Sequence, residues 1–392
     1  MRGLPAGIGL PRVKTIDAPA STLVSCRERQ PARGEAVDIP TRRDTIQRFR
    51  AAGGRIAAVT PIHYHRALLR AHGILPVEVW GPPRADTSGG DAHLQAYTCS
   101  IVRAALAFFL DHGLDAVDLL LMPHACDSLQ GLASVVQKFV RPEQPVLTLY
   151  MPRGTRSCDT AFLADELRSL GSSLREITGV TPTDEVFLAA IRLEETADSR
   201  TRHLLEEHLP LALDVQGLYR ILRAREYLPA EDWLALTDGL EADAATPPGV
   251  PLILSGVLPE PMDVLGAISA AGGRIVADDT ACLGRRAYAA GSGTDPYLRM
   301  AEALVHGPPD PMRGSPIDAR TRRLGQLAEA TGARGVLFYA VKYCEPELYD
   351  IPLMVKAMRA LGLQTLVVET EVSAALDDRT IGRVEAFLEM MA

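Results

Sequence analysis

The stretch GVLFYAVKYCEPELYD, residues 335–350, decides how this chain folds. Its first seven residues, 335–341, are mostly apolar with β-branched and aromatic members, which reads as a buried strand. Cys344 falls just past that strand, followed by Glu345, Pro346 and Glu347. A periodic run then carries Ile351, Met354, Val355, Met358 and Leu361, with Pro352 near its start and Gly362 at its end. Proline in the first turn and glycine past the last are the expected punctuation of a helix. Cys344 is therefore expected in a loop between a strand's C-terminal end and a helix's N-terminal end. Ligands of open α/β sheets collect at that edge. A thiolate placed there gains from nearby helix N-termini.

Outward from this unit the same grammar repeats. Strands are expected at 55–60, 75–80, 117–122, 146–151, 251–256, 274–278 and 365–369. Helical patterns cover 44–52, 64–72, 93–112, 129–140, 261–271, 320–331 and a last segment from about Ile381. Buried strands alternating with helices of this length imply parallel βαβ units. Residues 159–243 show no strand but three or four helical patterns rich in Glu and Arg, most simply a solvated face. The fold class is thus α/β: two Rossmann-like, parallel-sheet lobes joined by a helical segment, with a ligand in the cleft between them. The expected division is a poorly ordered arm over 1–42, a first α/β domain over 43–158, a helical bridge over 159–245 and a second α/β domain over 246–392.

A chain of 392 residues is long for one core, and 47% hydrophobic with 23% charged residues is ordinary for a folded protein. The net charge of −8 argues against general nucleic-acid binding. No apolar run reaches the ~18 residues of a membrane span, and the N-terminus lacks the apolar core of a secretory signal. A cytoplasmic location is expected, where disulfides are rare. No P-loop or GxGxxG run is present, so the chain is not expected to bind ATP or NAD itself.

The placement of the six cysteines is the question. Cys126, Cys282 and Cys344 each lie a few residues beyond a strand, and Cys99 lies at or near a helix start. Each alone reads equally as a small buried hydrophobe. Together, two facing lobes would bring Cys126 and Cys344 to one cleft, with Cys99 joining from the preceding helix. Three thiolates from separate loops suit a [4Fe–4S] cubane. They would leave one iron open as a Lewis acid. No CxxC pair is present, so neither a ferredoxin run nor a zinc ribbon is indicated. Cys26, in the arm, reads as an idle thiol. Arg153, Arg285 and Lys342 lie in cleft loops and suit phosphates, with a solvated surface as the alternative.

The run from Tyr343 through Cys344, Asp350 and Pro352 to Glu369 and Glu371 resembles the C-terminal signature of the 2-hydroxyacyl-CoA dehydratase D-component family. That family includes benzoyl-CoA reductase subunits and double-cubane cluster proteins. Further matches are GILPVEVW at 73–80, ACDS at 125–128 and GGRIVADDTACLGR at 272–285. The resemblance covers residues 43–392. It implies an enzyme subunit holding one [4Fe–4S] cluster through Cys99, Cys126 and Cys344, with Cys282 as a candidate extra ligand if the cluster is a double cubane. It implies a paralogous subunit or a second copy as partner, and an ATP-dependent iron–sulfur activator. It also implies an acyl-CoA substrate reduced by one electron at low potential to a ketyl radical, giving a dehydratase (a lyase) or an acyl-CoA reductase. Family members carry Ser or Cys, then Pro-Glu, where this chain has Thr60-Pro61-Ile62-His63-Tyr64-His65-Arg66. That departure suits a different substrate or an electron-transfer accessory subunit, and makes His63 and His65 candidate catalytic groups, with plain polar loop residues as the alternative. A third reading, on the paired lobes alone, is a two-lobed small-molecule binding module.

Overall fold

Among the described residues, eight strands form two parallel sheets. β1 (Arg55–Val59), β2 (Ile74–Glu78), β3 (Leu119–His124) and β4 (Val146–Tyr150) form the first sheet. β5 (Val250–Gly256), β6 (Gly273–Thr280), β7 (Gly335–Val341) and β8 (Gln364–Thr370) form the second. A computed structural model describes residues 37–111, 113–206, 214–240 and 248–392, which fall within one unit, Pro31–Ala392. Strand order is β2-β1-β3-β4 in one sheet and β6-β5-β7-β8 in the other. The two lobes therefore repeat one topology, and each reverses direction at an inner pair, β1/β3 or β5/β7. The crevice beyond the carboxyl ends of such a pair is where doubly wound sheets bind ligands.

The sequence explains this arrangement. All seven residues of β7 and all five of β2 are buried, because helices cover both faces of a parallel sheet. Burying one Val, Leu, Ile or Phe side chain stabilises the fold by roughly 1.5–3 kcal/mol, an upper range for a compact unfolded chain. Gly256, at the end of β5, has φ +152°, and a Cβ there would come within 2.1 Å of the Tyr339 carbonyl oxygen. Only glycine lets β5 and β7 run this close.

Between the lobes lie the helices Ser157–Thr178, Asp184–Glu206, Val215–Ala224 and Ala230–Thr237, with no strand among the described residues. One apolar cluster joins lobe one (Val102, Leu106), this bridge (Tyr219, Trp233) and lobe two (Val257, Tyr339, Val372). Polar ties cross as well. Glu78, at the end of β2, receives Arg286 from beyond β6 through two hydrogen bonds of 2.6 and 2.7 Å. The Val372 N–H donates to the Ser100 hydroxyl at 3.0 Å. Arg103 Nη2 meets Glu371 at 3.1 Å.

Some boundaries move. The helix expected over 93–112 starts only at Ser100 and ends at Leu110, preceded by the short helix Ser88–Asp91; His112 lies outside the described residues. Turns occupy the stretch before it, and Cys99 itself is extended (φ −62°, ψ 149°). The helix expected over 64–72 starts at Arg66, because His65 is its N-cap, accepting the Ala67 N–H at 3.3 Å. The helix expected over 129–140 divides into Asp127–Val135 and a π-helical turn, Val136–Val140, closed by left-handed Arg141. The first described helix, Arg42–Ala51, is capped by the Thr41 hydroxyl, worth about 1 kcal/mol. Residues 1–36, with Cys26, lie outside the described residues. Among the described residues no helix is long and apolar enough to cross a membrane.

Candidate functional site

Three cysteines occupy the same local position. Cys99 is the N-cap of Ser100–Leu110, Cys126 of Asp127–Val135 and Cys344 of the one-turn helix Glu345–Leu348. Cys126 follows β3 and Cys344 follows β7, the equivalent inner strands of the two lobes. In each case backbone N–H groups two or three residues along favour the thiolate: Ile101 and Val102 for Cys99, Ser128 and Leu129 for Cys126, Glu347 for Cys344. These N–H groups belong to the first helical turn, whose positive end lies near the sulfur.

The three thiols also feel one another. Burial first, then the charge of Cys99, pushes Cys126 up to about 12. Burial, then Cys99, Glu347 and Cys126, pushes Cys344 well above the ordinary thiol range. Burial likewise raises Cys99. Sulfurs separated by more than two hundred positions in the chain are thus electrostatic neighbours. Cys99 and Cys344 are only 6% and 5% exposed. Left to itself this is a poor place for thiolates, since each opposes the next. A cationic core that takes electron density from all three would remove that penalty, and the helix N-termini favour the resulting anionic assembly. The donor set therefore fits a cubane. Among the described residues no group of three His, Cys, Asp or Glu is gathered for a single metal ion. A cubane is held by one thiolate per iron, so its sulfurs stand farther apart than the ligands of one ion.

A cavity of about 350 Å³ opens beside Cys126, lined by Ser128, Arg153, Ser315, Glu345 and Tyr349 among others. Arg153 is largely exposed, 4.0 Å from Asp127. Its Cβ and Cγ pack over Gly314, where a Cβ would come within 3.1 Å. Lys342, at the end of β7, lies over Tyr343 and 3.5 Å from Glu371 and faces a different cavity.

The other residues singled out by sequence sit elsewhere. Arg285 is fully buried, and its guanidinium is taken up by the carboxylates of Glu347 and Asp310 and the carbonyls of Asp279 and Gly256. It keeps no face for a CoA phosphate. His63 is fully buried, with Nδ1 3.1 Å from the Tyr288 hydroxyl and Nε2 3.2 Å from Asp310 Oδ1. Burial lowers it to about 4 despite the pull of Asp310, so it is neutral at pH 7. His65 is a buried helix cap, lowered by burial. Cys282 is buried against the Thr280 hydroxyl at 3.3 Å, and burial, followed by the opposing pulls of Arg223 and Asp278, leaves it at about 12. Its charged neighbours are Arg223, Asp278 and Glu226 rather than the other cysteines. Cys158 is exposed at the start of Ser157–Thr178.

Sequence reasoning missed two groups. Glu347 sits under Cys344, bound by Arg285 and by Arg320 at 3.0 Å. Glu78 gathers Arg286, Arg66, the Tyr64 hydroxyl and the Trp80 N–H. Acidic residues in a first helical turn read as solvated dipole partners, so Glu347 carried no signal. Glu78 carried one: a carboxylate in the apolar run 74–80 has to be paired.

A family model described as 2-hydroxyglutaryl-CoA dehydratase, D-component, matches residues 61–391. The chain is 24% identical over 355 residues to lactoyl-CoA dehydratase subunit beta of Anaerotignum propionicum, covering 88% of this chain and 94% of that protein. It is 24% identical to (R)-2-hydroxyglutaryl-CoA dehydratase, subunit beta, of Acidaminococcus fermentans, over 80% and 86% of the two chains. It is 25% identical to a benzoyl-CoA reductase subunit of Thauera aromatica, over 76% and 81%.

Proposed function

The chain belongs to the 2-hydroxyglutaryl-CoA dehydratase D-component family, and from that premise we propose that it is the iron–sulfur subunit of an ATP-activated 2-hydroxyacyl-CoA dehydratase or aromatic acyl-CoA reductase. Cys99, Cys126 and Cys344 would hold one [4Fe–4S] cluster, and a related subunit or a second copy would complete the enzyme. The observation that supports this reading is the meeting of three N-cap thiols from both lobes as mutual electrostatic neighbours. A cluster held by Cys99, Cys126 and Cys344 would supply an open Lewis-acidic iron and one low-potential electron, the chemistry that ketyl-type reduction of an acyl-CoA thioester requires.

The chain's own residues do the rest. The N-terminal ends of three helices lie beside the sulfurs and favour their anionic form. The apolar cluster around Cys99 and Cys344 keeps water from the reduced centre. Arg153 and Lys342, the two basic candidates with exposed head groups, would meet CoA phosphates at the rim. Cys282 would stay outside the ligand set, held with Thr280 and Arg223.

A second reading is an electron-transfer subunit serving a related catalytic partner. It is favoured by the burial of His63 and His65, which leaves neither imidazole to handle a substrate proton. Anaerobic reconstitution, followed by iron and sulfide determination, tests the main reading: about four of each per chain is expected. A colourless, iron-free chain would defeat it. Acyl-CoA binding to the partner subunit alone would favour the second reading.

A further inference from the structure

Cys344 rests on less local structure than its two counterparts. Its helix, Glu345–Leu348, is a single turn, against 11 residues after Cys99 and 9 after Cys126, and Tyr343 before it has a left-handed φ of 62°. For a non-glycine residue that conformation is costly and has to be imposed by surroundings. The surroundings are charged. Glu347 is 2% exposed, and its two carboxylate oxygens are split between Arg285 Nη1 and, at 3.0 Å, Arg320 Nη2. Its backbone N–H lies against Cys344 itself, donating to the carbonyl oxygen at 3.1 Å and favouring the thiolate. Both arginines are rooted outside the turn. Arg285 donates to the Gly256 carbonyl at 2.6 Å and the Asp279 carbonyl at 2.8 Å, at the ends of β5 and β6. Arg320 belongs to the helix Ile317–Thr331 and also meets Asp350 at 2.6 Å. The tie continues into lobe one, because Arg285 meets Asp310 at 3.2 Å and Asp310 meets His63 at 3.2 Å.

We propose that Glu347, clamped by Arg285 and Arg320, is a positioning residue for Cys344: it fixes the turn that opens at this cysteine, and so fixes the sulfur relative to Cys99 and Cys126. This deepens the cluster reading and rests on it for its redox consequence. Glu347 also places a fixed negative charge beside the sulfur. Hydrogen bonds to sulfur and net charge both tune an iron–sulfur potential. Loss of that charge therefore makes the centre easier to reduce.

The test has two arms. In iron-free protein, alkylation by N-ethylmaleimide is followed at each cysteine by mass spectrometry. Glu347→Ala is expected to speed Cys344 by about tenfold, the scale of one lost charge-assisted hydrogen bond, with Cys99 and Cys126 unchanged. An unchanged Cys344 rate overturns the proposal. A rise shared by all three cysteines in Glu347→Ala is checked against the isosteric Glu347→Gln, and the same shared rise there also overturns it. In reconstituted protein, Glu347→Gln is expected to keep its iron, to move the midpoint potential upward and to change the electron paramagnetic resonance signal of the reduced centre. An unchanged potential and signal overturn the proposal. Wild-type protein that takes up no iron defeats the cluster reading, while the alkylation comparison still decides the positioning role.

Discussion

Replacing Glu78 by Gln should loosen the junction between the lobes by a predictable amount. The side chain is 2% exposed and faces Arg286, 4% exposed, through two hydrogen bonds; Arg66 at 2.5 Å, the Tyr64 hydroxyl at 2.9 Å and the Trp80 N–H at 3.1 Å complete its shell. Burial alone would raise the carboxyl, but Arg286 and then Arg66 outweigh it and hold it well below the usual carboxylate range. The amide keeps the shape, loses the charge and turns an N–H₂ group toward guanidinium donors. Arg286 is then a buried cation without its partner, a change that costs about 3–5 kcal/mol, or roughly two to three and a half powers of ten in the unfolding equilibrium. Urea unfolding at pH 7, followed by far-ultraviolet circular dichroism and tryptophan fluorescence, measures it. Asp263→Asn is the control, since the Arg84–Asp263 pair is 67% and 59% exposed and should be worth under about 1 kcal/mol. Glu78→Met with Arg286→Met should recover part of the loss, because the buried Arg286 charge is gone and only Arg66, 11% exposed, loses its carboxylate. A cost below about 1 kcal/mol for Glu78→Gln would refute the view that this pair ties the lobes.

Three further outcomes are expected. Cys126→Ala or Cys344→Ala should abolish iron binding after anaerobic reconstitution, whereas Cys282→Ala should retain it, as read by iron analysis. His63 has a folded value of about 4 against an ordinary 6.5, so the unfolded chain takes up the proton first. Stability present above pH 6.5 should fall by about 3 kcal/mol as pH drops toward 4, and urea midpoints for wild type and His63→Gln should converge over that window. Arg153→Glu should weaken coenzyme A binding by ten- to a hundredfold, the worth of one charge-assisted contact to phosphate, as measured by calorimetry; equal affinity would remove Arg153 from the site.

All eight strands were legible in the sequence because buried parallel strands leave continuous apolar runs with glycine at their ends, as at Gly54 before β1 and Gly272 before β6. The edge strand β8, as long as the central β7, was equally plain. Helix starts were less so. Periodicity carries through 93–110, but Cys99 adopts an extended cap, and a cap is a backbone conformation that hydrophobic spacing does not report. The strand ends before Cys126 and Cys344 were legible, but the helix starts were not: the periodicity put them at 129 and near Pro352, whereas Asp127–Val135 and the added turn Glu345–Leu348 begin directly after the cysteines. The buried charges were illegible for a different reason. Arg285 and Arg286 are adjacent, yet one turns to Glu347 and Asp310 in its own lobe and the other to Glu78 across the junction. Partners so remote in the chain leave no local trace, and a charged residue unaided by its partner reads as surface.

The twofold placement of Cys126 after β3 and Cys344 after β7 has a consequence for biosynthesis. Two sulfurs emerge from the ribosome with the first lobe, but the third exists only once β7 has been made. The N-terminal half carries only two of the three sulfurs until nearly the whole chain has been translated. On the proposed reading, a group held by all three sulfurs would gain its last ligand only after β7 has left the ribosome.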